Sequence, residues 1–156
     1  MAEPISEQIV AAAVTALRVI TRTGGYPITA IVRRFDERGN ASGDANADVI
    51  IEVEANAPLW KPEIAPLTRD GYELDINFIC TVKSPESTGV AMDTLLHRAY
   101  ASIYKAWAEG YTFGGLAINS ELGKPTEVMK GNTPMPVIPC KLWFYTDRND
   151  PFNQTN

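Results

Sequence analysis

Apolar and polar positions along the chain alternate between two periods, one helical and one of strands. Over residues 4–22, Ile5, Ile9, Ala13, Leu17 and Ile20 recur at helical spacing and form a single apolar stripe. Pro4 suits the first turn, where its missing N–H has no partner to lose, and Gly24-Gly25 predicts the end. Ala11, Ala12, Ala13 and Ala16 keep this helix slim enough to lie close to a sheet or to another subunit. Residues 28–35 and 48–55, rich in Ile and Val, predict two strands. The stretch between them, 36–47, reads DERGNASGDANA and holds no large apolar residue. It predicts a polar hairpin loop, mobile in the free subunit and longer than the roughly two to five residues usual in hairpins.

Residues 56–70 carry Pro58, Pro62 and Pro66 and predict an irregular, extended crossing. The clearest strand follows at 72–82, where Tyr72, Leu74, Ile76, Phe78, Cys80 and Val82 alternate with mostly polar residues. A second helix is predicted over 88–109, with Ser84, Ser87 and Thr88 as capping hydroxyls. Its apolar face is expected to be Met92, Leu96, Ala99, Ile103 and Trp107, and Gly110 ends it. A short strand at 116–122, a breaker-rich loop at 123–136 and a last strand at 137–146 complete the pattern. The polar tail, 147–156, is expected to fray apart from Phe152. Helices that are not interleaved with every strand predict an α+β fold. The expectation is a mostly antiparallel (mixed) sheet of about five strands with two helices packed on one face. Residues 1–156 suit a single domain.

Composition narrows the function more than the fold. With 45% hydrophobic and 21% charged residues the chain has the balance of an ordinary globular protein. A formal charge of −5 argues against duplex DNA as a direct ligand, because Lys and Arg must displace counterions from phosphates. Cys80 and Cys140 each lie in an apolar run and read as small hydrophobes, for which a disulfide is possible but unneeded. The first residues lack the basic start of a secretory signal, and no apolar stretch approaches the ~20 residues of a membrane span. The expectation is a chain made and used in solution, with no membrane partner.

Chemistry is sparse. His97, the single histidine, follows Asp93 by four residues, but no HExxH or Cys-His spacing completes a site, so a surface or interface role is expected. Asp44, Asn46 and Asp48 alternate like the start of a calcium loop. Ile50 stands where that loop needs Gly and Ala55 where it needs Glu, so the segment reads as polar hairpin. Gly114-Gly115 follows a helix, and neither a phosphate-loop pattern nor a serine nucleophile elbow is present. Glu52 and Glu54 share a strand face, a spacing that 19 acids produce by chance. No catalytic, cofactor-binding or metal-ligating residue is assigned, and no enzyme activity is expected.

Apolar bulk on faces that should be wet points instead to assembly. In the last strand Ile138, Cys140, Leu142 and Phe144 form one face, while Val137, Trp143 and Tyr145 populate the other. A strand apolar on both faces is covered on both, by its own chain or by another. Tyr100, Tyr104 and Tyr111 add aromatic area to the second helix, and Arg33, Arg34 and Arg38 are available for acidic partners. Trp143, Tyr145 and these three arginines are the candidate interface residues.

In order, the segments SEQIVAAAVTALRVIT, YELDINFICTV, VAMDTLLHRAYASIYKAWA, GGLAINSEL and PCKLWFYTDRNDPF resemble the phage tail terminator proteins. The resemblance runs from Ile5 to Phe152 and rests on patterns of helix, strand and turn; 36–47 and 56–70 match it least. It implies a structural virion protein, assembled in the host cytoplasm, whose homohexameric ring caps the tail tube. Such a ring stops tube polymerisation and offers the head-attachment surface, so its partners would be its own copies, the tail-tube protein and the head–tail connector. DNA would pass through the lumen without specific binding. The alternative from the same neighbourhood is a connector or stopper subunit of the neck; a small ligand-binding protein or hydrolase is the alternative from another class.

Overall fold

The computed structural model describes residues 3–35, 47–83 and 89–155. Its chain runs α1 (Ile5–Leu17), β1 (Ala30–Arg34), β2 (Val49–Ala55), β3 (Leu59–Trp60), a 3-10 turn (Pro62–Ile64), β4 (Arg69–Val82), α2 (Met92–Glu109), β5 (Asn119–Leu122), β6 (Thr126–Lys130) and β7 (Thr133–Asp147). The fold is α+β, as the pattern predicts, with one mixed sheet that holds more than five strands. Among the described residues there are seven, in the order β1-β2-β4-β7-β5, with β3 beside β4 and β6 beside β7.

The centre of the sheet is the antiparallel pair β4–β7, in register from Arg69↔Asp147 to Ile79↔Val137. Alternation sorts its side chains. Leu74, Ile76, Phe78 and Cys80 from β4 join Ile138, Cys140, Leu142 and Phe144 from β7 in one buried cluster with both helices. Burying an aliphatic side chain of this size contributes roughly 1.5–3 kcal/mol, so this face sets most of the stability. All five residues of the expected α1 stripe are buried in it.

β1 and β2 differ from expectation: they pair in parallel, Ala30↔Val49 through Arg34↔Val53, so the segment between them is no hairpin loop. A parallel neighbour must be reached by a crossover that returns along the strand, which explains a connection too long for a turn. Residues 36–46, including Arg38, Asp44 and Asn46, lie outside the described residues. Asp48 is not a loop residue either. It is 1% exposed, its backbone N–H donates to the Thr29 carbonyl (2.9 Å), and its carboxylate accepts from the Thr29 N–H (3.0 Å) and from Arg22 (2.9 Å). That clip fixes the start of β2 beside the start of β1.

Helix boundaries shift for local reasons. α1 ends at Leu17 rather than near Arg22, because Thr21 and Thr29 hydroxyls take backbone N–H groups of Gly24 (3.0 Å) and Arg22 (3.1 Å) and stabilise turns instead. α2 presents Leu95, Ala99, Ser102, Ile103 and Ala106 to the sheet, a face rotated from the expected one, with Met92 exposed and Leu96 at the edge. Small residues at 99, 102 and 106 let the helix approach closely; the buried Ser102 hydroxyl donates to the Arg98 carbonyl (2.7 Å). The expected caps at 84, 87 and 88 fall outside the described residues, and the N-cap position is Ala91, without a side-chain cap.

Two segments expected to be irregular are ordered. Residues 126–137 form a hairpin in which Lys130 opposes Thr133 and Gly131, at φ 63°, takes the first place of a two-residue turn. In such a ladder Pro134 and Pro136 turn their nitrogens toward β4, and without N–H they cannot continue the pairing there. The β4–β7 ladder stops at Val137, immediately beside them. The tail folds back rather than fraying. Asp147 accepts from the Thr155 N–H (2.7 Å) and hydroxyl (2.6 Å), Gln154 donates to the Tyr145 carbonyl (2.6 Å), and the Pro151 carbonyl takes the first N–H of α1, that of Ile5 (2.9 Å). Side-chain hydrogen bonds, invisible to an apolar pattern, hold it.

Candidate assembly surfaces

The face of the sheet opposite the helices carries Arg33, Glu52, Glu54, Glu73, Asp75, Asn77, Glu121, Lys141, Trp143 and Tyr145, placed there by the strand registers. Five of these are carboxylates and two are cations, so the surface is acidic. Ile79 and Val137 face each other across β4–β7 on this side and are fully buried. An open depression of about 440 Å³ runs over the acidic part, between Asp75, Asn77, Glu121 and Lys141.

Trp143 and Tyr145 lie where the alternation puts them, away from the helices, and both are half-buried. The Trp143 indole donates to the Glu73 carboxylate (3.2 Å), and Lys141 approaches the same carboxylate at 3.9 Å. The Tyr145 hydroxyl donates to the Ile64 carbonyl (2.8 Å), and the Arg69 guanidinium lies 5.9 Å from its ring centre. A crossing segment of the same chain therefore covers Tyr145. That crossing needs Gly71, where a Cβ would stand 2.6 Å from Ile64 and 2.8 Å from the Lys61 carbonyl.

Arg33 and Arg34 each have a carboxylate partner within the chain. Arg34 forms an ion pair with Glu7 of α1 (2.6 Å), whose carboxyl it holds below the usual carboxylate range. Arg33 reaches Glu52 across the parallel pair at 3.4 Å. The two diverge to opposite faces of β1.

Larger apolar exposure lies elsewhere. On the crossing after β2, Leu59, Trp60 and Leu67 project into solvent, with Arg69 and Arg148 beside them. At the far end of β4 an apolar groove of about 260 Å³ opens between Thr81, Val82, Met92, Leu96, Pro134, Met135 and Pro136. Sequence reading missed both. For the first the signal was an aromatic among prolines; for the second it was Gly131-Asn132 between two short apolar runs.

The chemistry-bearing residues weighed from the sequence lie apart among the described residues. His97 is exposed on α2, and the buried Asp48 is occupied by Arg22 and Thr29. Cys80 and Cys140 are free and buried, and desolvation pushes each thiol up to about 12. Among the described residues no group of three His, Cys, Asp or Glu could hold a metal ion, and no helix is long and apolar enough to cross a membrane. The chain matches no model of a known protein family, and no curated protein matches its sequence.

Proposed function

We propose that this chain is a structural subunit of a phage tail terminator, which closes into a homohexameric ring on the end of the tail tube. The observation that supports this reading most is the one-sided sheet. Both helices pack on one face, and among the described residues the other carries the half-buried Trp143 within an acidic field.

In this reading the mechanism is geometric. One face of the ring copies the stacking surface of a tube subunit and binds the last tube ring; the other face does not, so no further ring adds and the connector binds there instead. Acidic residues such as Glu52, Glu54, Asp75 and Glu121 suit a wall along which DNA slides, since like charge repels the phosphates. Trp143 is the candidate contact on that face, with its indole already oriented by Glu73. Arg33 and Arg34 shape β1 more than they reach out, because each has a carboxylate partner within the chain.

Polymerisation of tail-tube protein from the same genome, followed by electron microscopy, is the test. Addition of this protein at a few copies per tube is expected to leave shorter tubes with a six-lobed cap. Tubes that grow at the same rate to the same lengths, with bare ends, would contradict the proposal.

A further inference from the structure

The side of β7 away from β4 is covered piecewise, and its last stretch has no strand beside it. β6 lies beside Thr133 to Val137, and β5 reaches only as far as Trp143. Because β7 runs on to Asp147, the backbone groups of Tyr145 and Asp147 on that side need another partner. An arm, residues 150–155, supplies it. The Asp147 N–H donates to the Asn153 carbonyl (2.8 Å), and the Gln154 carboxamide donates to the carbonyls of Tyr145 (2.6 Å) and Leu116 (2.8 Å). The Asp147 carboxylate takes the N–H and hydroxyl of Thr155, and Arg69 donates to the Thr155 carbonyl (2.5 Å).

The arm is built to be lifted. Pro151, Phe152, Asn153 and Thr155 are exposed and Gln154 is half-buried, so opening gives up hydrogen bonds that water replaces and no buried apolar surface. Its receptor belongs wholly to β4, β7 and the turn before β5, so the arm of a second copy satisfies it with the same bonds. Its hinge is short. The Asp150 N–H donates back to the Asp147 carbonyl (3.0 Å), which leaves Arg148 and Asn149 as a two-residue turn with Asn149 at φ 59°. Surface bonds hold that turn, from the Asn149 N–H to Asp70 (2.8 Å) and from Arg148 to the Leu67 carbonyl (2.9 Å). A left-handed backbone costs any residue with a Cβ, though Asn less than most. Short hinges under strain favour exchange of the segment between copies, because the strain is released where the chain runs straight on.

We propose that residues 150–155 of one copy leave their own sheet and occupy the Tyr145, Asp147 and Leu116 edge of the next copy. The exchanged arm also brings its Pro151 carbonyl to the Ile5 N–H of that copy (2.9 Å within the single chain), tying the neighbour's α1 to its sheet. Arm and receptor are different surfaces, so the contact repeats head to tail and closes where the rotation allows. It rests on the ring reading for its partner, a second copy of this chain.

Cross-linking of a chain that carries both Asn153→Cys and Leu116→Cys tests it. Asn153 is in the arm and Leu116 in its receptor, while the native Cys80 and Cys140 are buried. Should circular dichroism reveal a fold defect, the exposed Ile118→Cys replaces Leu116→Cys. A short bismaleimide joins the two new thiols within one chain if the arm stays at home, and between chains if it is exchanged. The expected result on a denaturing gel is a ladder from two chains to six. Asn149→Gly in the same chain removes the cost of the turn and is expected to lower the ladder's share several-fold in favour of the single-chain link. A link confined to single chains, in a protein that sediments as rings, would overturn the exchange and leave the ring reading standing. A ladder that Asn149→Gly leaves unchanged would overturn the hinge as its cause, and with it the argument for exchange. An unaltered chain that never associates would overturn both readings.

Discussion

Asp48→Ala should be among the most damaging single changes outside the apolar core. The Asp48 carboxylate, 1% exposed, accepts from the Thr29 N–H at 3.0 Å and from Arg22 at 2.9 Å. Truncation leaves the part-buried Thr29 N–H without an acceptor, which costs about 1–3 kcal/mol. Arg22 is half exposed, at 50%, so water replaces most of its pairing and the loss there is at most about 1 kcal/mol. The sum, about 1–4 kcal/mol, falls on the contact that aligns the parallel strands β1 and β2. Asp48→Asn keeps an acceptor for Thr29 and should lose about 1 kcal/mol through Arg22 alone. Urea unfolding followed by circular dichroism measures both, at unchanged m-value. An Asp48→Ala protein within about 0.5 kcal/mol of the parent would refute the reasoning. Two variants of equal stability would place the effect in charge rather than in the Thr29 bond.

Gly71→Ala should drive the Pro62–Ile64 turn off the sheet and expose Tyr145, because the new Cβ has only 2.6 Å to Ile64; increased Tyr145 reactivity toward iodination would report it. Cys80 and Cys140, buried with thiols near 12, should resist a thiol reagent at pH 8 in the native protein and react in urea; rapid native labelling would contradict their placement. The Glu7 carboxyl is held low by Arg34, so its contribution is complete above the ordinary carboxylate range and lost as pH falls through its lowered value. Both partners are about two-fifths exposed (40% and 44%), so screening keeps the effect under about 1 kcal/mol. Glu7→Gln should therefore flatten the acid limb of the stability curve only slightly, and an unchanged limb would remove the pair from the account.

The legible parts of this fold are those where one local period decides. β4 shows its buried face in sequence because Tyr72 to Val82 alternate with a single apolar exception, Ile79, and α1 because its stripe meets a single partner surface. The orientation of β1 against β2 is not local: it depends on Asp48 meeting Thr29 and Arg22, and no spacing encodes that meeting. For α2, apolar spacing suggested Met92, Leu96, Ala99, Ile103 and Trp107; the sheet buries Ala99 and Ile103 of these but otherwise takes Leu95 and the small residues 102 and 106, which permit approach. β6 was hidden by the prolines that follow it, although Pro134 and Pro136 fit a strand whose other side is unpaired. Among candidate contacts, Trp143 was readable from alternation. Trp60 was not, because a proline-rich crossing has no period from which to infer exposure.

The account stands or falls on the mass of the free protein in solution. Native mass spectrometry, with sedimentation at micromolar concentration, should give one dominant species at six times the 17.1 kDa chain. A monomer or a two-fold dimer that persists across the concentration range would contradict the ring, and with it the function proposed for this fold.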